Sequence, residues 1–327
     1  MMRAMRATCL MLFVALAVAG CSSGSNGSSD GGGGGSVDLG GNPGGDMTMR
    51  MRNNEPLLTV NYTIPVGQEL YRCRRVTATE DIWIKSLTPT SPAGVHHQVF
   101  AIDKSSTPPA DGEGNCSVLN TNWIDLFASG VGSPSLDMPD GVALKVPAGK
   151  QMILQLHLFN ATQKEITGSS TLYIERSPPV GAAHEAEVVL AGPPPVNGIP
   201  NLPSIPPGNN QKITATCRMG GDVKFFAVFP HMHQYGTHIK VWTQAPDGSP
   251  MSTVYDSDYN FSDQDFAQFA PISLGVDDKI AVECTYNNDT GSTIRLGDSS
   301  TEEMCFAISY RYPKIGNLLP GSICWDG

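Results

Sequence analysis

The apolar residues of this chain come in short runs, and clusters of Gly, Pro, Asn and Asp interrupt them before a helical period can establish itself. Runs of this kind, bounded by turn chemistry, read as strands. The segments 57–63, 81–85, 95–102, 142–146, 152–159, 171–175, 187–190, 212–217, 223–233, 238–242, 279–286, 293–296 and 304–312 all fit. Turn clusters such as Pro139-Asp140-Gly141, Pro147-Ala148-Gly149 and Pro246-Asp247-Gly248 separate them. With 35 Gly, 25 Pro and only 16% charged residues, the composition also favours turns and strands over long helices, and 40% apolar content is enough for a sizeable core. The expected fold is therefore all-β, of the antiparallel sandwich or jelly-roll kind. The richest Pro stretch runs from Pro178-Pro179 through Pro193-Pro194-Pro195 to Pro203, Pro206 and Pro207. A boundary near residue 178 gives two tandem domains of ordinary size, 51–178 and 179–327, with no internal repeat linking them.

The first residues carry a different signal. Arg3 and Arg6 precede an apolar run over 10–18 that is too short to span a membrane with confidence. The run ends in Val18-Ala19-Gly20-Cys21, which resembles a bacterial lipobox. Residues 1–20 are thus expected to be a signal peptide, with cleavage before Cys21 and lipidation of that cysteine. Ser22 and Ser23 follow with no Asp, a pattern that suits an outer-membrane lipoprotein of the bacterial cell envelope, facing the periplasm or the cell surface. Residues 21–50 are rich in Gly and Ser and cannot bury apolar surface, so they read as a disordered tether. The membrane is expected to be met through the lipid anchor only.

Setting aside Cys9 and Cys21, six cysteines remain, an even number that suggests three disulfides in an exported chain. Spacing alone leaves their pairing open. No CxxC occurs, which argues against a thiolate zinc site. The net charge of -10 supplies no basic stripe for phosphates, so a nucleic-acid partner is not expected.

Five of the seven histidines fall in three tight contexts: His96-His97, His157, and His231-Met232-His233, each within an expected strand. Residues i and i+2 of a strand share a face, so His231 and His233 can grip one ion. Adjacent His96 and His97 point to opposite faces unless the strand carries a bulge, and a local irregularity is predicted there. His157 on another strand completes a possible three-histidine set. In isolation His157 and His96-His97 read more readily as buried core residues than as ligands, His231-Met232-His233 reads equally well as either, and His184 and His238 read as ordinary structural or surface residues. Spacing alone permits a zinc site with a bound water, or a cupin-like iron or manganese site, although the Glu a cupin would place after His-x-His is missing between Gln234 and Pro250.

Four motifs in order change the balance: His96-His97, Gln155-Leu156-His157, His231-Met232-His233 and Glu303-Met304-Cys305. Together they make residues 55–327 resemble the copper type II, ascorbate-dependent monooxygenases, the family of the peptidylglycine α-hydroxylating and dopamine β-hydroxylating enzymes. The resemblance implies two tandem antiparallel β-sandwich domains and two mononuclear copper sites. His96, His97 and His157 would hold one copper in the N-terminal domain, with Gln155 in its surroundings. His231, His233 and Met304 would hold the catalytic copper in the C-terminal domain. It also implies the disulfides Cys73–Cys116, Cys217–Cys324 and Cys284–Cys305. A thioether favours Cu(I), and imidazole suits both oxidation states, so these ligand types fit a reducible centre that meets O2.

The sequence also departs from the family. Where the peptide-amidating members hold a peptide carboxylate with an Arg, an Asn and a Tyr, this chain has Phe229, Phe306 and Ile308. A more apolar pocket is expected, and neither peptide amidation nor a catecholamine substrate is supported. The expected function is hydroxylation of a C–H bond in a small or peptidic substrate, using O2 and an external one-electron reductant such as ascorbate, by a monomer. The alternative is a non-catalytic envelope lipoprotein that binds or delivers copper. Two ligand clusters facing a shared solvent cleft would suit the enzyme.

Overall fold

Every segment expected as a strand falls on one, and the described residues contain no helix. The computed structural model describes residues 54–326 except 118, 119, 121, 179–182, 195–201, 265, 298 and 317–322. The expected signal peptide, Cys21 and the tether lie outside the described residues.

The N-terminal half contains β1 (Glu55–Ile64), β2 (Glu69–Thr77), β3 (Ile82–Pro89), β4 (Val95–Asp103), β5 (Gly112–Asn115), β6 (Trp123–Gly130), β7 (Leu136–Asp137), β8 (Val142–Val146), β9 (Gln151–Phe159), β10 (Ile166–Arg176) and β11 (His184–Glu185). They form two sheets, one in the order β1-β10-β3-β8-β11 with β7 beside β3, the other β5-β2-β9-β4-β6. The C-terminal half contains β12 (Glu187–Ala191), β13 (Ser204–Ile205), β14 (Gly208–Arg218), β15 (Val223–His231), β16 (Gly236–Gln244), β17 (Pro250–Asp258), β18 (Ala267–Leu274), β19 (Lys279–Asn288), β20 (Ile294–Arg295), β21 (Phe306–Tyr312) and β22 (Ile323–Cys324). Their sheets run β18-β15-β21-β12-β22 and β14-β19-β16-β17, with a β13-β20 ribbon. Most pairings are antiparallel; β11 with β8 and β12 with β22 are parallel. β11 still pairs with β8, and from β12 onward the strands belong to the second group of sheets.

The sequence passed over β2, β5, β6, β7, β11, β13, β17, β18 and β22. In β2, Arg72, Arg74 and Arg75 blur the alternation. β17 is an edge strand with mostly exposed residues, and β18, also at an edge, contains Pro271, which cannot donate to a ladder.

One strand pair positions the site. Along β21, Phe306, Ile308, Tyr310 and Tyr312 face the apolar cluster that also contains Leu126, Phe127 and Leu154 of the N-terminal half, whereas Ala307 faces the C-terminal core of β14, β16 and β19. β15 does the same with Phe226 and Phe229 on one side and Phe225 and Val228 on the other. A bulge between Phe225 and Ala227, seen against both neighbours, supplies the extra residue. This sheet is therefore buried on both faces. One apolar cluster continues from the N-terminal half onto it, and the Tyr310 hydroxyl accepts the Ala128 amide N–H at 3.0 Å across the join. The three disulfides are Cys73–Cys116, Cys217–Cys324 and Cys284–Cys305, the pairing the resemblance implied.

Candidate metal centre

β4 and β9 are neighbours, and their register places His97 opposite His157. The register slips between Val95 and His97, so His96 is the extra residue of the irregularity predicted at this dipeptide. The slip lets both adjacent rings turn to one side. His96 Nδ1 lies 3.3 Å from His97 Nδ1, and His157 Nδ1 lies 3.3 Å from His97 Nδ1. An ion about 2.0 Å from each of several tetrahedrally disposed nitrogens sets them roughly 3.3 Å apart. Two of the three spacings are therefore those of a ligand set, and the ligand atoms of His96, His97 and His157 all lie within 4.8 Å of one another, so the group could hold a metal ion.

His157 is oriented from behind. Its Nε2 lies 2.7 Å from Glu69 Oε1, and Tyr71 stacks on the ring at 4.5 Å. A ring nitrogen hydrogen-bonded to a carboxylate fixes the tautomer and presents the other nitrogen as ligand. The hydrogen bond from His157, joined by one from Ser300, holds the Glu69 carboxyl down at about 2. Gln155, expected near this set, sits two residues from His157 in β9, and its amide donates to the Ser117 carbonyl at 2.6 Å beside the Cys73–Cys116 bridge.

The second set grows from the end of β15. His231 closes the strand, paired with Phe306. His233 lies two residues past it, so polar groups hold it where a continuous strand was expected. The Glu303 carboxylate accepts the backbone N–H of His233 at 2.9 Å and of Tyr235 at 2.7 Å. The Tyr259 hydroxyl accepts the Met232 N–H at 3.1 Å and donates to the Met232 carbonyl at 2.6 Å, in place of a strand partner. His231 Nδ1 is 2.9 Å from Gln264 Oε1, and His233 Nδ1 is 3.0 Å from the Glu302 carbonyl. Both Nδ1 atoms face acceptors and carry the proton, which leaves the lone pair on Nε2 of each ring. Met304 follows Glu303 directly. Its backbone N–H is 3.3 Å from the Glu303 carboxylate, its carbonyl accepts the Tyr286 hydroxyl at 2.7 Å, and its buried side chain belongs to the cluster shared with the N-terminal half. Burial raises the Glu303 carboxyl to about 7, against the pull of the backbone N–H groups it accepts.

The two sets meet. The His97 and His231 rings lie 5.4 Å apart, His231 and His233 5.3 Å, and Phe261 covers His96 at 4.2 Å. A solvent cleft between the sets was the arrangement expected to suit the chemistry. Here the shared core draws the halves together, and His97, His157, His231 and His233 are all buried. Burial pushes His96 and His233 down to about 4 and His231 to about 3, and holds His97 well below the usual imidazole range. Such rings keep their lone pairs for a metal at neutral pH. Phe229, Phe306 and Ile308, expected to line an apolar pocket, are packed within the shared core. His184 and His238 stand apart from the cluster. His238 pairs with Asp256, and His184 lies against Tyr312.

Glu69, Tyr71, Tyr259 and Gln264 were not expected as parts of the site. Glu69 and Tyr71 lie in the overlooked strand β2, where their i, i+2 spacing was the available signal. Gln264 lies in the connection between β17 and β18, and no sequence pattern points to it.

Residues 198–324 match the family model described as copper type II ascorbate-dependent monooxygenase, C-terminal domain. The resemblance carried by the four motifs thus holds for the segment that contains His231, His233 and Met304. Among solved structures, the chain is similar to the VP2 subviral particle of infectious bursal disease virus, at 9% identity and a TM-score of 0.23 over 83% of this chain and 74% of that one. It is also similar to a mutant oxalate decarboxylase of Bacillus subtilis, at 11% identity and a TM-score of 0.12 over 75% of this chain and 78% of the other. Likenesses this weak carry no argument.

Proposed function

We propose that this chain is a copper-dependent monooxygenase that hydroxylates a C–H bond of a small or peptidic, largely apolar substrate, with O2 and an external one-electron reductant such as ascorbate. The observation that carries the proposal is the convergence of five imidazoles from both halves into one buried cluster beside the Met304 segment. The match of residues 198–324 to the family's C-terminal domain supports it.

His96, His97 and His157 would hold one copper through Nδ1. His231 and His233, through Nε2, would hold a second together with Met304. Copper, when bound, supplies one-electron redox chemistry and the reduction of O2. Zinc would suit the three-nitrogen set equally well, and the thioether at position 304 is what favours copper at the other. Burial favours the neutral form of His96, His97, His231 and His233 and keeps water away from the reacting region. Phe229 and Phe306 offer no partner to a carboxylate, so recognition rests on apolar contact, and a substrate has to displace part of the packing that now fills this region. On the same proposal the enzyme works in the bacterial cell envelope, held there through Cys21.

The test is to load the protein with copper, add ascorbate, and follow O2 uptake and product mass across a panel of apolar small molecules and peptides. Substrate-dependent uptake with one oxygen atom added to the product is expected, and Met304→Ile should abolish it. Intact turnover in Met304→Ile, or stoichiometric zinc after copper-replete expression, would contradict the proposal.

A further inference from the structure

Glu69 and Tyr71 lie on one face of β2, and both reach His157 on β9. Tyr71 is the direct cross-strand partner of His157 and stacks on it with 4° between the ring planes. Glu69 comes from the diagonal position, and its Oε1 takes up the Nε2 end of the ring. Tilting the ring breaks the stack on Tyr71, turning it over breaks the hydrogen bond to Glu69, and Nδ1 is the atom left facing His97. The second carboxylate oxygen is also engaged. Glu69 Oε2 accepts the Ser300 hydroxyl at 2.8 Å, from a residue 231 positions further along the chain. Two residues on, the Glu302 carbonyl holds His233, and Met304 follows. One carboxylate therefore joins the two ligand sets through a continuous path: His157, Glu69, Ser300, the 300–304 segment and His233.

We propose that Glu69 is a positioning residue shared by both ligand sets: Oε1 selects the Nε2–H tautomer of His157, and Oε2 ties the Met304-bearing segment to the first set. The purpose of this device rests on the copper proposal; its geometry does not. An exposed ion pair would contribute little. Here His157 is 3% exposed and Glu69 30%, and the acceptor lies behind a would-be ligand, where loss of such a partner typically weakens metal binding 10–100-fold.

Three variants separate the roles. Glu69→Gln keeps both hydrogen bonds, its carbonyl accepting from His157 and its amide donating to Ser300. Glu69→Ala loses both, and Ser300→Ala loses only the tie. The first readout uses metal-free 15N-labelled protein at pH 8 and two-bond 1H–15N correlations of His157. Wild type, Glu69→Gln and Ser300→Ala should show the Nε2–H tautomer alone, and Glu69→Ala a mixture. The second is amide hydrogen exchange over residues 299–304, which should quicken in Glu69→Ala and Ser300→Ala and stay slow in Glu69→Gln. The third is copper affinity of the three-histidine set, expected to fall about 10–100-fold in Glu69→Ala. A pure Nε2–H tautomer in Glu69→Ala, or unchanged exchange in Ser300→Ala, would overturn the inference. The first two readouts need no metal, so a wild-type protein that binds no copper would defeat the proposed function while leaving this inference to stand or fall on its own.

Discussion

At the scale of single residues, the site depends on which ring nitrogen each histidine offers. On the proposed function it is Nδ1 in the first set, where these atoms face one another, and Nε2 in the second, because Gln264 and the Glu302 carbonyl occupy the opposite atoms. Sequence could supply the histidines but not this choice, since the partners come from residues distant in the chain. The i, i+2 rule drew attention to His231 and His233, although His233 lies beyond the strand that the rule assumes, and the adjacent pair His96-His97 forecast its own bulge. Gln264 was invisible because only the fold brings it to His231. Its role is testable. Gln264→Leu removes the acceptor for the Nδ1–H of His231, and copper affinity of the second set, followed by competition with a Cu(I) chelator, should fall about 10–100-fold while the first set is unaffected. Unchanged affinity would mean that Gln264 only fills space.

At the scale of elements, β15 and β21 organise the centre. Their pairing places Phe306 opposite His231, and Glu303 then holds the turn after His231 by its backbone N–H groups. The Cys284–Cys305 bridge ties the residue after Met304 to β19. Gly192 shows how closely the chain packs here, since a Cβ on it would collide with the Cys305 carbonyl oxygen. β4, β9, β15 and β21, which the site needs, were read as short apolar runs bounded by turn residues, whereas β2, which carries Glu69 and Tyr71, was hidden by its arginines. The bridge closes a loop with a sequence separation of 21, so replacing both Cys284 and Cys305 by Ser should cost about 3 kcal/mol of stability. Chemical denaturation of the double variant checks the figure. The same variant should bind copper at the second set more weakly than wild type, because the ligand segment loses its anchor. Wild-type affinity would show that hydrogen bonds from Tyr286 and to Glu303 suffice.

At the scale of the whole molecule, the two halves share an apolar cluster, and His97 and His157 of one half and His231 and His233 of the other are buried. The all-β class was legible because short apolar runs and turn clusters recur along the chain. The closeness of the ligand sets was not, because it follows from large side chains such as Phe226, Phe229 and Tyr310 packing across the join, and nothing in a one-dimensional pattern pairs them with Phe127. Burial has a consequence for the metal-free protein. His96, His97, His231 and His233 are depressed below the unfolded imidazole value of about 6.5, so between roughly pH 6.5 and 4 the unfolded chain binds more protons than the folded one. Stability must then fall as pH falls through that window. Asp125 and Glu303, both raised by burial to about 7, act in the opposite sense, but they are two groups against four. The net slope should be about 1.4 kcal/mol per pH unit for each proton of imbalance. Denaturation midpoints of metal-free protein at pH 7, 6 and 5 would show the decline, and a constant or rising midpoint toward pH 5 would contradict it.

Copper K-edge X-ray absorption on the Cu(I)-loaded protein tests most directly whether these side chains form the proposed redox centre. Imidazole scattering at every copper, with about half a sulfur per copper that disappears in Met304→Ile, is the predicted result. A spectrum with no sulfur contribution in the unaltered protein, or a protein that retains no stoichiometric copper, would contradict it.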